Sequence, residues 1–141
     1  QWSKTYECGH AEIDQQHRNL FAKANQLLQM NSKDASKENI ATIIKELLEE
    51  TVAHFAYEEQ ILEQLAHPDT SVHALSHRRL LDKTNILLDK LQRGGADLAA
   101  LLHFMIYELT AQHIMIDDRC FGKIAISKAD PDHNQDGRAP D

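Results

Sequence analysis

Apolar residues along this chain recur at spacings of three, four and seven, the pattern of helix faces turned toward a common core. Between His10 and about Asn31 the positions Ile13, Leu20, Phe21, Ala24, Leu27 and Leu28 trace one such face, and His17 lies on it. A second stretch opens near Ser36, a good capping residue, and runs through Ile40, Ile43, Ile44, Leu47, Leu48, Thr51, Phe55, Leu62 and Leu65. It is predicted to stop before His67-Pro68, because proline disfavours helical geometry in the residue before it. The third follows the capping run Asp69-Thr70-Ser71, carries Leu80, Leu81, Thr84, Leu87, Leu88 and Leu91, and ends at Gly94-Gly95. The fourth, with Asp97 as its cap, uses Leu98, Leu101, Leu102, Met105, Ile106, Leu109 and Ile116 and loses its period around Gly122. The sequence carries no strand signal.

Four amphipathic helices of roughly 20 to 30 residues with short connections predict an all-α, antiparallel up-down-up-down four-helix bundle, since short loops place consecutive helices side by side. An N-terminal arm precedes it. Residues 1–127 are expected to form the domain, and the polar stretch 128–141, with two prolines and no period, a linker or disordered tail. A chain of 141 residues fits one domain with one core. The formal charge of −7, with Lys and Arg scattered, excludes a nucleic-acid footprint. The most apolar stretch, Leu98 to Leu109, is interrupted by His103 and Glu108 and is too short for a membrane span. Cys8 and Cys120 form no paired motif and are expected to be free thiols in a cytoplasmic protein. The opening Gln-Trp-Ser-Lys shows neither an initiator Met nor a secretory pattern, so earlier residues are expected to be missing or processed.

Nine histidines are the unusual feature, and five of them interrupt the apolar stripes. His54 and Glu58, four apart, stand between Thr51 and Leu62 on the second helix; His73 and His77, again four apart, continue the Leu80 stripe of the third. His113 extends the Leu102, Ile106, Leu109 stripe, Asp118 follows near the helix end, and His17 completes the set. Burying an ionisable group without a partner costs several kcal/mol, so something must satisfy five imidazoles and two carboxylates brought to one level of a bundle. Mixed nitrogen and oxygen donors without thiolate suit iron, manganese or zinc, and seven are too many for one zinc, so a two-metal centre uses them better. Ferritin-like oxidases need Glu-x-x-His on two helices, and the one match, Glu7-Cys8-Gly9-His10, lies in the arm. His10, His67, His103 and His133 are expected at the surface, although His10 could approach the site from the helix start. Asp132-x-Asn134-x-Asp136-Gly137 is half a calcium loop whose twelfth position would fall beyond residue 141.

The segments from Ile13 to Leu20, His54-Phe55-Ala56-Tyr57-Glu58-Glu59, His73-x-x-x-His77 and His113 to Asp118 resemble, in order and spacing, the motifs of the bacterial hemerythrin family. That resemblance covers Trp2 to about Phe121. It implies two iron ions with an oxo or hydroxo bridge: His73, His77 and His113 on one, His17 and His54 on the other, with Glu58 and Asp118 bridging. Dioxygen would bind at the open position of the second iron, in an apolar pocket drawn from Leu20, Phe21, Phe55, Leu62, Leu80, Leu109 and Ile116. Asp117 and Glu59 are the nearest competitors to Asp118 and Glu58 as bridges. The chain departs from the family in having Leu80 where an aromatic is expected and Phe121 where a Tyr is.

Three functions are compatible with the resemblance, and the opening without Met and the trailing polar segment favour the first. The first is an oxygen- or redox-sensing module, not itself an enzyme, of a larger signalling protein whose fused output is a cyclic-dinucleotide synthase or a chemotaxis module. The second is a free-standing oxygen carrier or store. The third is a di-iron peroxidase or nitric oxide reducing enzyme, for which no proton donor is identifiable.

Overall fold

The computed structural model describes residues 2–30, 37–93 and 98–118. Among them there are four helices and no strand. A single 3₁₀ turn, Lys4–Tyr6, lies in the N-terminal arm; α1 spans Ala11–Gln29, α2 Lys37–Gln64 and α3 Thr70–Gln92. The fourth helix, α4, starts as Leu98–His103 and continues directly as a π-helical segment, Phe104–Asp117. Ser36, Gly94-Gly95, Asp97, Cys120, Phe121, Gly122, His133 and the stretch 128–141 lie outside the described residues.

The helix ends follow from local chemistry. His10 sits outside α1 with extended backbone, and its Nδ1 accepts from the Ile13 amide at 3.4 Å. It is thus a cap, and does not approach the polar cluster. The end of α2 is set by Ala66, whose φ of 48° places it in the left-handed region. The His67 amide donates to the Leu62 carbonyl and the Ala66 amide to Glu63, both at 3.0 Å, which is a Schellman closure with Ala66 where glycine is usual. Pro68 then prevents continuation. His67, expected in solvent, is half-buried and organises this turn. Its Nδ1 accepts from the Asp69 amide at 3.2 Å and its carbonyl from the Thr70 hydroxyl at 2.7 Å. His103 is exposed, as expected.

Cross-helix contacts run in the opposed order of antiparallel neighbours. His17 meets His54 while Lys23 pairs with Glu46 at 2.7 Å; His73 faces Glu58 while His77 stacks on Phe55; and Lys83, six residues beyond His77, lies over Phe104 rather than His113. The fourth helix closes the ring by packing against α1 and α3. One core, centred on Leu20, Ala24, Leu27, Leu47, Leu101 and Met105, fills one end of the bundle. A smaller cluster of Cys8, Ile13 and Leu62, with Tyr57 and Ile61 against it, fills the other. His17 lies between Ile13 and Leu20 on α1, and His54 and Glu58 lie between Leu47 and Leu62 on α2, so the polar residues are sandwiched between two apolar layers.

The expected stripe fails at two points. Leu28 is 54% exposed at the end of α1, and Ile116 is 62% exposed. An α-helical phase carries Ile106, Leu109, His113 and Ile116 on one face, but the π segment steps by five. The Thr110 hydroxyl donates to the Met105 carbonyl at 2.8 Å and the Asp118 amide to the His113 carbonyl at 3.2 Å. That wider winding turns Ile116 outward and brings Asp118, five residues after His113, back to the core, where it is 1% exposed.

Candidate metal centre

The seven residues singled out in the sequence are buried and meet in one place. His17, Glu58, His54, His77, His113 and Asp118 are at most 1% exposed and His73 6%. Their donor atoms form two groups, each lying within 4.8 Å: His73, His77 and His113 with Glu58 and Asp118, and His17 and His54 with the same two carboxylates.

The carboxylates divide their oxygens between the groups. Glu58 Oε1 lies 3.4 Å from His54 Nε2 and 3.7 Å from His17 Nε2. Its other oxygen, Oε2, lies 3.3 Å from the Nε2 of both His73 and His77 and 3.7 Å from that of His113. Asp118 does the same: Oδ2 is 3.1 Å from His17 and 3.8 Å from His54, while Oδ1 is 3.2 Å from His113 and 3.5 Å from His73.

These separations are short, yet many of the atoms make no hydrogen bond. The Nε2 atoms of His17, His54 and His77, Glu58 Oε1 and both Asp118 oxygens are buried without an aligned partner. Each such atom costs about 1 to 3 kcal/mol if nothing satisfies it. Lone pairs from several directions that aim past one another and toward shared points are what cations require, so the residues fit a pair of metal ions.

Charge within the cluster favours the ligating forms of the acids. Burial pushes the Glu58 carboxyl up, but the facing His113, His17, His73 and His77 outweigh it and hold Glu58 well below the usual carboxylate range. Burial and the neighbouring Glu58 likewise push Asp118 up, and His113, His17 and His54 hold it down. Burial lowers His17, and its contacts with Asp118 and Glu58 overcome that and raise it.

Residues around the cluster hold the rings. The His54 Nδ1 lies 3.0 Å from the Gln16 amide oxygen, and the His77 Nδ1 lies 2.8 Å from Glu59 Oε1. Glu59, a competitor of Glu58 on sequence grounds, thus contacts the outer nitrogen of a ligand candidate instead of bridging. The Asp117 side chain lies outside the described residues. Phe55 stacks flat on His77, with ring centroids 3.8 Å apart and an interplanar angle of 2°. Asp14, which pattern reading passed over, is buried and accepts from the Cys8 amide at 2.7 Å and the Gly9 amide at 3.2 Å, pinning the arm over the site end. Its signal was a charged residue beside Ile13, three positions before His17. Cys8 is a free, buried thiol that burial pushes up to about 12.

The seven residues expected to line an apolar pocket are not gathered in one. Phe55, Leu20 and Leu109 are buried in the large core, and Phe21 and Leu80 pack on it half-buried. Leu62 belongs to the small cluster on the far side of Glu58, because eight residues along α2 carry it past the metal level. Ile116 faces solvent for the reason given by the π winding. No described helix is long and apolar enough to cross a membrane.

Comparison with known proteins gives the family. The hemerythrin HHE cation-binding domain model matches residues 8–125. Bacteriohemerythrin of Stenotrophomonas maltophilia is 26% identical over 120 residues, covering 85% of this chain and 77% of that protein. Bacteriohemerythrin of Pseudomonas aeruginosa (strain LESB58) is 28% identical over 122 residues, covering 83% and 75%. A hemerythrin-like protein of Naegleria gruberi is 31% identical over 80 residues, 57% of this chain and 61% of that one. No solved structure matches. With both the matched span and the seven-residue centre inside it, the chain belongs to the hemerythrin HHE cation-binding family.

Proposed function

We propose that the chain is a non-haem di-iron, dioxygen-binding domain. The observation that carries this is the division of Glu58 and Asp118, each giving one oxygen to each histidine group, as two bridging carboxylates would. His73, His77 and His113 would hold one iron and His17 and His54 the other. The iron pair supplies the redox chemistry of dioxygen binding. The protein supplies fixed ring orientations, ionised carboxylates, and apolar layers from Phe55, Leu20, Leu109 and Leu62 that keep bulk water away. The half held by His17 and His54 has four donor residues against five, and is the half with room for an added ligand.

Within this reading the domain serves as an oxygen or redox sensor. What supports it is the position of Asp118: a ligand held only because the fourth helix is wound five residues per step, so a change in its coordination bears on the winding of that helix. Carrier and reductase roles need the same centre and are separated by kinetics.

Protein produced with iron should contain about two irons per chain and change its visible spectrum reversibly with oxygen. His54→Ala and Glu58→Ala should lose that spectrum. One metal or fewer per chain, or full iron in both variants, sinks the di-iron reading. Oxygenated protein that persists for hours favours a carrier over a sensor.

A further inference from the structure

The two histidine groups differ in what stands behind them. On one side His77 Nδ1 lies 2.8 Å from a carboxylate oxygen of Glu59, whose side chain is 37% exposed. On the other side His54 Nδ1 lies 3.0 Å from the neutral amide oxygen of Gln16. The Gln16 Nε2 donates in turn to Glu12 Oε1 at 3.3 Å, which fixes the amide with its oxygen toward His54. The second ring of that group, His17, has a buried Nδ1 with no partner among the described residues.

An acceptor on Nδ1–H fixes the tautomer that leaves the Nε2 lone pair facing the centre, and an anionic acceptor makes that lone pair more basic than a neutral one does. Phe55, flat against His77, holds the tilt of the ring that Glu59 holds in rotation. Donor number works in the same direction, five residues against four.

Resting on the two-metal reading, we propose that Glu59 is a positioning residue that makes the His73, His77 and His113 half the tighter one. It fills first, and the Gln16-backed half is the one whose metal exchanges. Glu59→Gln keeps the shape and the accepting oxygen and removes only the charge. Gln16→Glu adds the charge on the other side.

The test is an anaerobic titration of the metal-stripped full chain with Co2+, followed by its visible absorption, with thermal melts of the metal-free proteins alongside. The wild type should take two equivalents in two steps. Glu59→Gln should weaken the first step about 10- to 100-fold, the usual effect of losing such an outer partner, and leave the second step and the metal-free melt unchanged. Gln16→Glu should tighten the second step. His54→Ala should keep one equivalent, and its affinity should fall when Glu59→Gln is added. Two equivalents bound with a first step unmoved by Glu59→Gln, or with both steps weakened alike, overturns the role of Glu59 alone. Fewer than two equivalents in the wild type overturns the two-metal reading and the role together. A Gln16→Glu protein that folds but shows no tighter second step also counts against it, even if Glu59→Gln fails to fold.

Discussion

At the end of the bundle built on Leu20, Leu27, Leu47 and Leu101, burial is apolar and complete, and nothing further is needed to hold the helices. One to three turns along α1 and α2 the same inward positions carry His17, His54 and Glu58, and buried atoms stand without aligned partners. The first end is stabilised by the fold itself, at roughly 1.5 to 3 kcal/mol per buried large side chain. The second is costly until cations occupy it. The bundle is therefore an apolar base that keeps a layer of unpartnered polar atoms assembled.

Metal removal should break the symmetry of that comparison most. At metal concentrations near a thousandfold above the dissociation constant the loaded form should gain about 4 kcal/mol, a rise of roughly 10 °C in melting temperature measurable by calorimetry with and without chelator. Next, Leu47→Ala, in the apolar base, should cost about 3 kcal/mol in denaturant titration, equally in metal-free and loaded protein. His54→Leu, in the polar layer, should change the metal-free form by less than about 1 kcal/mol, relief of the unpartnered Nε2 offsetting the lost Gln16 contact, while abolishing two-metal loading. Equal destabilisation by both would erase the distinction between the ends. Asp14→Ala should cost about 2 kcal/mol by freeing the Cys8 and Gly9 amides, and amide exchange should quicken in the arm before it does in the base. A small effect belongs to a turn outside both regions: Ala66→Gly should stabilise by about 1 kcal/mol, read as a higher urea midpoint at unchanged slope.

Much of this was legible in the sequence because helical periodicity and ligand spacing speak at the same positions. Polar residues on apolar stripes identified the five histidines and Glu58, Asp118 came from its place near the helix end and the family spacing, and the stop at Pro68 and the capping run Asp69-Thr70-Ser71, within which α3 begins, are chemical signals read directly. Periodicity assumes one winding, however, so it misplaced Ile116 in the π segment. Gln16 escaped, and Glu59 was read only as a rival bridge, because each sits one residue from a ligand candidate, about 100° off the stripe, where a polar side chain looks like ordinary surface. Only the facing helix reveals that Glu59 reaches a ring on α3 and Gln16 one on α2. The scatter of the expected pocket residues has a similar origin. A stripe gives the inward direction but not the level, and Leu62 and Phe55 share a direction while lying on opposite sides of Glu58.

The winding of the fourth helix also bears on how such chains are recognised and redesigned. His113 and Asp118 can share a face only while the ladder between them steps by five. A histidine followed by four residues and an aspartate near a helix end is thus a spelling of a π turn, and a scanner built on three-residue gaps would discard it. Transplanting those two side chains onto an idealised α-helix would place them on different sides of the rod. Removing one residue between them would suit the commoner ladder instead, since a histidine and an aspartate four apart share a face of an α-helix, as His54 and Glu58 do.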